Sequence, residues 1–331
     1  MIAGGLRHRA CACLLAAAGT MAGPAAAAAA DVAQYPNKPI RILVGFTPGG
    51  GPDITARYVA VKLSEAWKQP VVVDNRPGAG GIIAAQTVAT SNPDGYTLLS
   101  VSSAHAVNPA INDKLPYDTA KDFAGVTFSA NSKYVLVVST SLGIRSVKEL
   151  LARAQAKPGQ LNFSSAGVGS GSHFAGEIFK SMAKIDVVHV PFKGIPEALT
   201  EAMSGRVQFF MSPIANAVNL VKEGKVVGLG VSSLKRDPLL PDLPTIAEAG
   251  VPGYESILWF GLLVSSQVPR ALVDRLNGEI VRILKDPEAR QRWAPIGLEP
   301  APTTPAEFDR IIRQEIALFT KIARAANIRA N

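Results

Sequence analysis

The sequence predicts an α/β fold of mainly parallel sheets flanked by helices, on three observations. Short apolar runs rich in β-branched residues alternate with segments of helical period. Gly and Pro, at 29 and 24 residues, fall at intervals that suit many short elements joined by tight turns. A strand, a glycine-rich loop and a helix occur in that order twice, at Ile42 to Thr55 and again at Leu161 to Ala175.

Taken in order, Ile40 to Phe46 reads as a strand, and Asp53 to Trp67 as a helix with Ala56, Val59, Ala60, Leu63 and Trp67 on one face. Val71 to Val73 is a short strand, Gly81 to Thr90 a helix, and Thr97 to Val101 and Tyr134 to Ser139 are strands. Ser146 to Ala156 is a helix whose Ser146 and Glu149 have the spacing of a capping box. A strand at Leu161 to Ser164, a helix from Ser172 to Ala183, a strand at Val187 to Val190 and a helix from Pro196 to Ser204 follow. Val207 to Met211 and Val227 to Ser232 are strand-like. Arg270 to Lys285 and Pro305 to Ala325 are helical, with Pro269 and Pro305 near first-turn positions.

Arg7, His8 and Arg9 precede an alanine-rich apolar stretch that ends in Ala-x-Ala sites, the pattern of a secretory signal peptide cleaved just before Asp31. Both cysteines, Cys11 and Cys13, lie inside it, so the mature chain has neither a disulfide framework nor a cysteine-based metal site. The placement of these cysteines ahead of most of the apolar stretch argues against a lipid anchor. The formal charge of +8 falls by two to +6 on loss of Arg7 and Arg9, with the remaining cations scattered among acids. That scatter disfavours nucleic acid as a partner, while a mildly positive surface favours encounter with anions. No later segment approaches the roughly 18 apolar residues that span a bilayer. A free, soluble, secreted, monomeric protein is expected.

A glycine-rich loop leading into a helix presents unpaired N–H groups at the positive end of the helix dipole, a cradle for anions. In the first loop Gly49, Gly50 and Gly51 permit close approach of a ligand, and Asp53 reads as the helix N-cap. In the second, Gly167, Gly169 and Gly171 alternate with Ser170 and Ser172, whose hydroxyls donate to carboxylates. Both loops equally fit plain βα turns, as does the cluster Gly78 to Gly81. None has dinucleotide or P-loop spacing. No zinc-protease motif is present, His173 and Glu177 at i and i+4 fit a surface or capping contact better than a metal site, and Ser170 lacks the spacing of a hydrolase nucleophile. No cofactor, metal or catalytic residue is expected, although a secreted hydrolase stays open as an alternative.

Several motifs recur together: Tyr35-Pro36 with Lys38 to Arg41, Pro48-Gly49-Gly50 with Asp53, Asn75 to Gly81, and Pro93 to Tyr96. Ala166 to Ser170 with His173 and Glu177, Val190 to Gly194, and Leu243 to Thr245 with Glu248 follow in order. Over nearly the whole mature chain this resembles the tripartite tricarboxylate transporter receptors, often called Bug receptors. The resemblance implies a two-lobed periplasmic binding protein of type II fold that is not an enzyme. Residues 31–131 with 254–331 would form one lobe and 132–253 the other, with the cleft between them. It also implies capture of a small carboxylate, di- or tricarboxylate or aromatic, for delivery to a membrane transporter; presentation to a signalling protein is the alternative.

By the same resemblance the ligand carboxylate is held, partly through ordered water, by the loop Phe46, Pro48, Gly49, Gly50 and Asp53 and by the loop Ala166, Gly167, Gly169, Ser170 and His173. Ser102, Ser103 and Asn108, then Phe192 and Lys193, then Ser212, Pro213 and Ile214 complete the cleft. Phe192 stands where such receptors often have tyrosine and Ser212 where many carry aspartate, which disfavours ligands with an ammonium group. Phe46, Phe192, Trp259 and Phe260 are candidates for an apolar wall or for simple core.

Overall fold

Ten strands of the described residues lie in one sheet, in the order β2-β1-β3-β9-β4-β7-β5-β6, with β8 and β10 paired to β4. The computed structural model describes Met1 and residues 34–330; the expected signal peptide after Met1 lies outside the described residues. Contacts divide the chain into Met1–Tyr35 and Pro36–Asn331, and the fold is that of the second unit.

The first part of the sheet consists of β1 (Ile40–Val44), β2 (Val71–Asn75) and β3 (Thr97–Ser102), paired in parallel. Each is followed by a helix: α1 (Gly51–Trp67), α2 (Ile82–Ala89) and α3 (Ala104–Ile111). β4 (Phe123–Ser139) then crosses to the second part, where β5 (Leu161–Ser165) pairs in parallel with β6 (Val187–Pro191) and β7 (Phe209–Pro213). The helices here are α4 (Val147–Ala156), α5 (Gly171–Ala183), α6 (Ile195–Met203) and α7 (Ile214–Lys222). β8 (Val226–Val231) closes this part, and β9 (Ile257–Ser265) returns the chain to the first. α8 (Arg270–Lys285), α9 (Pro287–Trp293), β10 (Glu299–Pro300) and α10 (Pro305–Ala325) complete it.

The expected parallel triplets are present, and antiparallel β4 and β9 join them into a mixed sheet. Up to Lys133, β4 pairs with β9; from Tyr134 it pairs with β7, and from Val135 also with β8. One apolar core holds Leu43, Leu99, Val107, Leu263 and Phe308, and another Leu136, Phe163, Phe179, Phe209 and Tyr254. Each such aromatic or aliphatic side chain contributes about 1.5–3 kcal/mol by leaving water. Among the described residues no helix is long and apolar enough to cross a membrane.

Two local features show how the helix starts are shaped. Gly51 opens α1 directly against the ring of Phe260, where any Cβ would collide, so the helix start packs on β9 without a side chain between. Ser146 caps α4 by accepting the Glu149 N–H at 3.2 Å, while Glu149 reaches back to the Arg145 N–H at 2.7 Å. The same back-reach recurs at α1.

Candidate functional site

The loops at the carboxyl ends of β1, β2, β5 and β6 open onto a shared cavity of about 570 Å³. Strand ends of this kind are where open α/β sheets take ligands, because loop amides and helix N-termini converge there. Gly45 to Thr47 after β1, the loop from Pro77 to Gly80 after β2, and α3 line one side. Ala166 and Val168 to Ser170 after β5, with Lys193 after β6, line the other. A second, far smaller space of about 10 Å³ lies beside Phe46, Ser102 and His105. Burial alone lowers His105 to about 4, which keeps its ring neutral.

The first loop is shaped from beneath by Asp53. Its Oδ2 accepts the Gly49 N–H and Arg57 Nε, each at 2.9 Å, and its Oδ1 accepts Asn75 Nδ2 at 2.8 Å. Asn75 Nδ2 also donates to the Phe46 carbonyl at 3.1 Å, and Arg57 Nη2 donates to Asn75 Oδ1 at 2.8 Å. Asp53 is therefore not the N-cap expected from sequence. Gly50 occupies that position and Asp53 sits three residues inside the helix, because the chain turns helical at Gly51 rather than at Asp53. Burial alone would raise the Asp53 carboxyl. The hydrogen bonds from Arg57, Gly49 and Asn75, with the Arg57 charge, outweigh that and hold it below the ordinary carboxylate value.

The second loop is held by a buried histidine pair. Ser170 caps α5 by accepting the His173 N–H at 3.3 Å, and the Gly169 N–H donates to His173 Nδ1 at 3.2 Å. The Gly167 N–H donates to Ser165 Oγ at 3.1 Å, which lies 2.6 Å from His189 Nε2. The Ala166 N–H donates to Ser172 Oγ at 3.0 Å. The rings of His173 and His189 stack at 3.8 Å. Burial, then the neighbouring His189 and Lys180, lowers His173 to about 3; burial, then Lys180, lowers His189 to about 4. Acceptance by Nδ1 places the His173 proton on Nε2, which faces Glu177 Oε1 at 3.9 Å. Both residues of this pair are buried, at 2% and 6% exposure, so of the surface or capping contact expected only the capping form is compatible, with His173 accepting the Gly169 N–H at the helix start.

The amides expected to stand free for an anion are thus partly spent within their own loops. Gly49, Gly167 and Gly169 donate internally, because side chains at the helix starts fold back onto them.

Of the residues singled out from sequence, Phe46, Asn108, Ala166, Gly169, Ser170 and Lys193 line the cavity, and Ser102 lines the smaller space. Pro48, Gly49, Gly50 and Asp53 stand off its wall, at the start of α1. Ser103 is buried near Gly171, and Gly167 and His173 support their loop from behind. Phe192 packs on the core of the second part. Ser212 and Ile214 are fully buried, Pro213 is buried beside them, and the cavity lining includes none of the three. Trp259 and Phe260 are core, with Trp259 Nε1 donating to Glu315 at 2.5 Å. Thr47, Ile82, Ile111, Asn112, Val168 and Ala330 line the cavity without having been singled out. The Gly78 to Gly81 cluster was the available signal for its own wall; Ile111 and Ala330 carry no local signature.

No acidic residue lines the cavity among the described residues. Its apolar lining includes Phe46, Ile82, Ile111 and Val168, and its polar groups include Thr47, Asn108, Asn112 and Ser170. Lys193 is its one cation, exposed, and it makes no salt bridge among the described residues.

An α/β sheet with a cavity of mixed polar and apolar lining at its strand ends is the architecture that periplasmic binding proteins such as BugD share. The sequence profile of the tripartite tricarboxylate transporter family receptor matches residues 55–328, and the chain belongs to that family. It is 35% identical over 298 residues to the UPF0065 protein in the tcbD-tcbE intergenic region of Pseudomonas sp. (strain P51), covering 90% of this chain and 89% of that one. Among solved structures, R. palustris Rpa4515 with adipate superposes with a TM-score of 0.80 at 35% identity, covering 89% of this chain and 99% of that one. MatC (Rpa3494) from Rhodopseudomonas palustris with bound malate gives a TM-score of 0.75 at 30% identity, covering 87% and 99%.

Proposed function

We propose that the protein is a periplasmic receptor that captures a small carboxylate lacking an ammonium group and delivers it to a membrane transporter of the tripartite tricarboxylate type. The observation that carries this is the cavity wall, which among the described residues holds Lys193 and several amide and hydroxyl groups but no acid. An anion gains attraction there, whereas an ammonium group would lose hydration without a counter-charge. The ligands named for the two similar structures, adipate and malate, are both carboxylates without nitrogen.

The chain works as two lobes, 31–131 with 254–331 and 132–253 between. In support, β4 changes partners at Lys133 and Tyr134, and Lys133 there pairs with Asp237 at 2.8 Å and faces Glu299 at 3.7 Å. Two crossings make a hinge, and ligand closes it. In the closed state Phe46, Asn108, Gly169, Ser170 and Lys193 contact the ligand, while Asp53 and His173 hold the loops in shape.

A thermal-shift screen of the mature protein against dicarboxylates, tricarboxylates, aromatic acids and amino acids tests this. A ligand present at 100 times its dissociation constant stabilises by about 2.7 kcal/mol, which raises the melting temperature by several degrees. Shifts with nitrogen-free carboxylates support the reading; shifts with none of them refute it.

A further inference from the structure

The chain after α10 returns to the cavity. Asn327 adopts a left-handed backbone, φ 51°, and turns the chain back. The Ile328 N–H then donates to the Ala323 carbonyl at 2.8 Å, and its side chain joins the core at 9% exposure. Arg329 pairs with Asp113 at 2.9 Å. The Ala330 N–H donates to the Ile111 carbonyl at 2.8 Å, and Ala330 itself lines the cavity.

Ile111 is the last residue of α3, and the final carbonyls of a helix have no partner within it. The strap supplies one. α3 contributes Ala104, Asn108 and Ile111 to the cavity at helical spacing, with Asn112 beside them. Its end is thus held by a segment more than 200 residues away in sequence, as the Asp113–Arg329 pair at a separation of 216 records. The ion pair is exposed on both sides and contributes little alone. Anchorage rests on Ile328 in the core and on the backbone bond.

We propose that Asn327–Ala330 is a wall of the ligand site that sets the length of carboxylate accepted and slows its release. This rests on the carboxylate reading above. A side chain at position 330 projects from a fixed backbone at the cavity's edge, so its size sets the room left beyond α3. Loss of the Ala330 N–H frees the Ile111 carbonyl and loosens the turn that carries Asn108 and Asn112.

Two variants of the mature chain separate these roles. Ala330→Pro removes the N–H with far less added bulk than an aromatic side chain. Ala330→Trp keeps the N–H and fills space. Ala330 is exposed, so folding is retained in both variants and circular dichroism checks it. The probes are linear dicarboxylates of four, six and eight carbons, titrated calorimetrically, with dissociation followed by stopped-flow fluorescence. Ala330→Pro is expected to release its best probe about tenfold faster, the scale of one lost hydrogen bond. In the absence of any probe it should also show faster amide exchange across residues 108–113. Ala330→Trp is expected to weaken the eight-carbon acid more than the four-carbon one. If both variants bind and release every probe as the parent does, the strap is not part of the site. If the parent binds none of the three while exchange in Ala330→Pro still rises, the strap only caps α3 and the proposal falls together with the linear-dicarboxylate form of the carboxylate reading.

Discussion

Gly169 and Ile111 face one another across the cavity so closely that a Cβ on Gly169 would stand 2.5 Å from Ile111 Cδ1. Gly169 also has φ +80°, a conformation other residues adopt only with strain. Gly169→Ala is therefore expected to cost about 1–3 kcal/mol of stability and to weaken ligand binding, by displacing either the loop or Ile111. Gly50 provides the contrast: its φ of −76° suits any residue and the nearest atom to a Cβ is 3.5 Å away. Gly50→Ala should change stability by less than about 0.5 kcal/mol. Urea denaturation of the two variants checks both; equal stabilities would contradict the loop geometry.

Asp53 holds the first loop through three donors, so Asp53→Ala is expected to destabilise by about 2–3 kcal/mol at neutral pH. Its folded-state value lies below the unfolded one, which means that its contribution is present above the unfolded value of about 3.9 and is lost as pH falls through the folded value. The gap between parent and variant should therefore narrow below about pH 4. A gap that stays constant from pH 7 to pH 3 would show that the carboxylate charge is not what anchors the loop.

His173 and His189 are neutral in the fold down to about 3 and about 4, against an ordinary value of 6.5. Below 6.5 the unfolded chain takes up protons that the folded one refuses, so these residues lower stability progressively as pH falls from 6.5 toward those values. Glu315 acts in the opposite sense, since burial raises it to about 7. The comparison of parent with His189→Gln isolates the histidine contribution. The variant's melting temperature should fall less between pH 7 and pH 5 than the parent's. Parallel curves would mean that His189 does not titrate on unfolding in that window.

The parallel strands, the capped helix at Ser146 and the long amphipathic helices were legible because their signals are local: β-branched runs, a cap with its partner three residues on, an apolar stripe. Two thirds of β4 were not, because its alternation is broken by register shifts after Gly125 and Phe128. α3 escaped notice because Pro109 lies within it. β9 was read only through Trp259 and Phe260, as candidate wall or core. The glycine loops were legible by composition, but the direction of their amides was not. Asp53 and His173 fold back onto Gly49 and Gly169 through contacts that exist only once the helix start is fixed. Ile111 and Ala330 reach the cavity by tertiary packing alone.

Export is expected to remove the segment before Asp31, on the charged start and the Ala-x-Ala sites. N-terminal sequencing of protein recovered from the periplasmic fraction should begin at or near Asp31. Protein that begins at Met1 and stays in the cytoplasm would contradict a receptor role.

The preference for anions without ammonium, drawn from the absence of acids in the cavity wall among the described residues beside the exposed Lys193, is tested most directly by calorimetric titration of the mature protein with adipate and with 2-aminoadipate, which differ only in the amino group. Adipate should bind more tightly by at least the ~1.4 kcal/mol that makes a factor of ten, and Lys193→Gln should reduce that affinity. Tighter binding of the amino acid, or an affinity for adipate indifferent to Lys193→Gln, would contradict a site built for anions without ammonium.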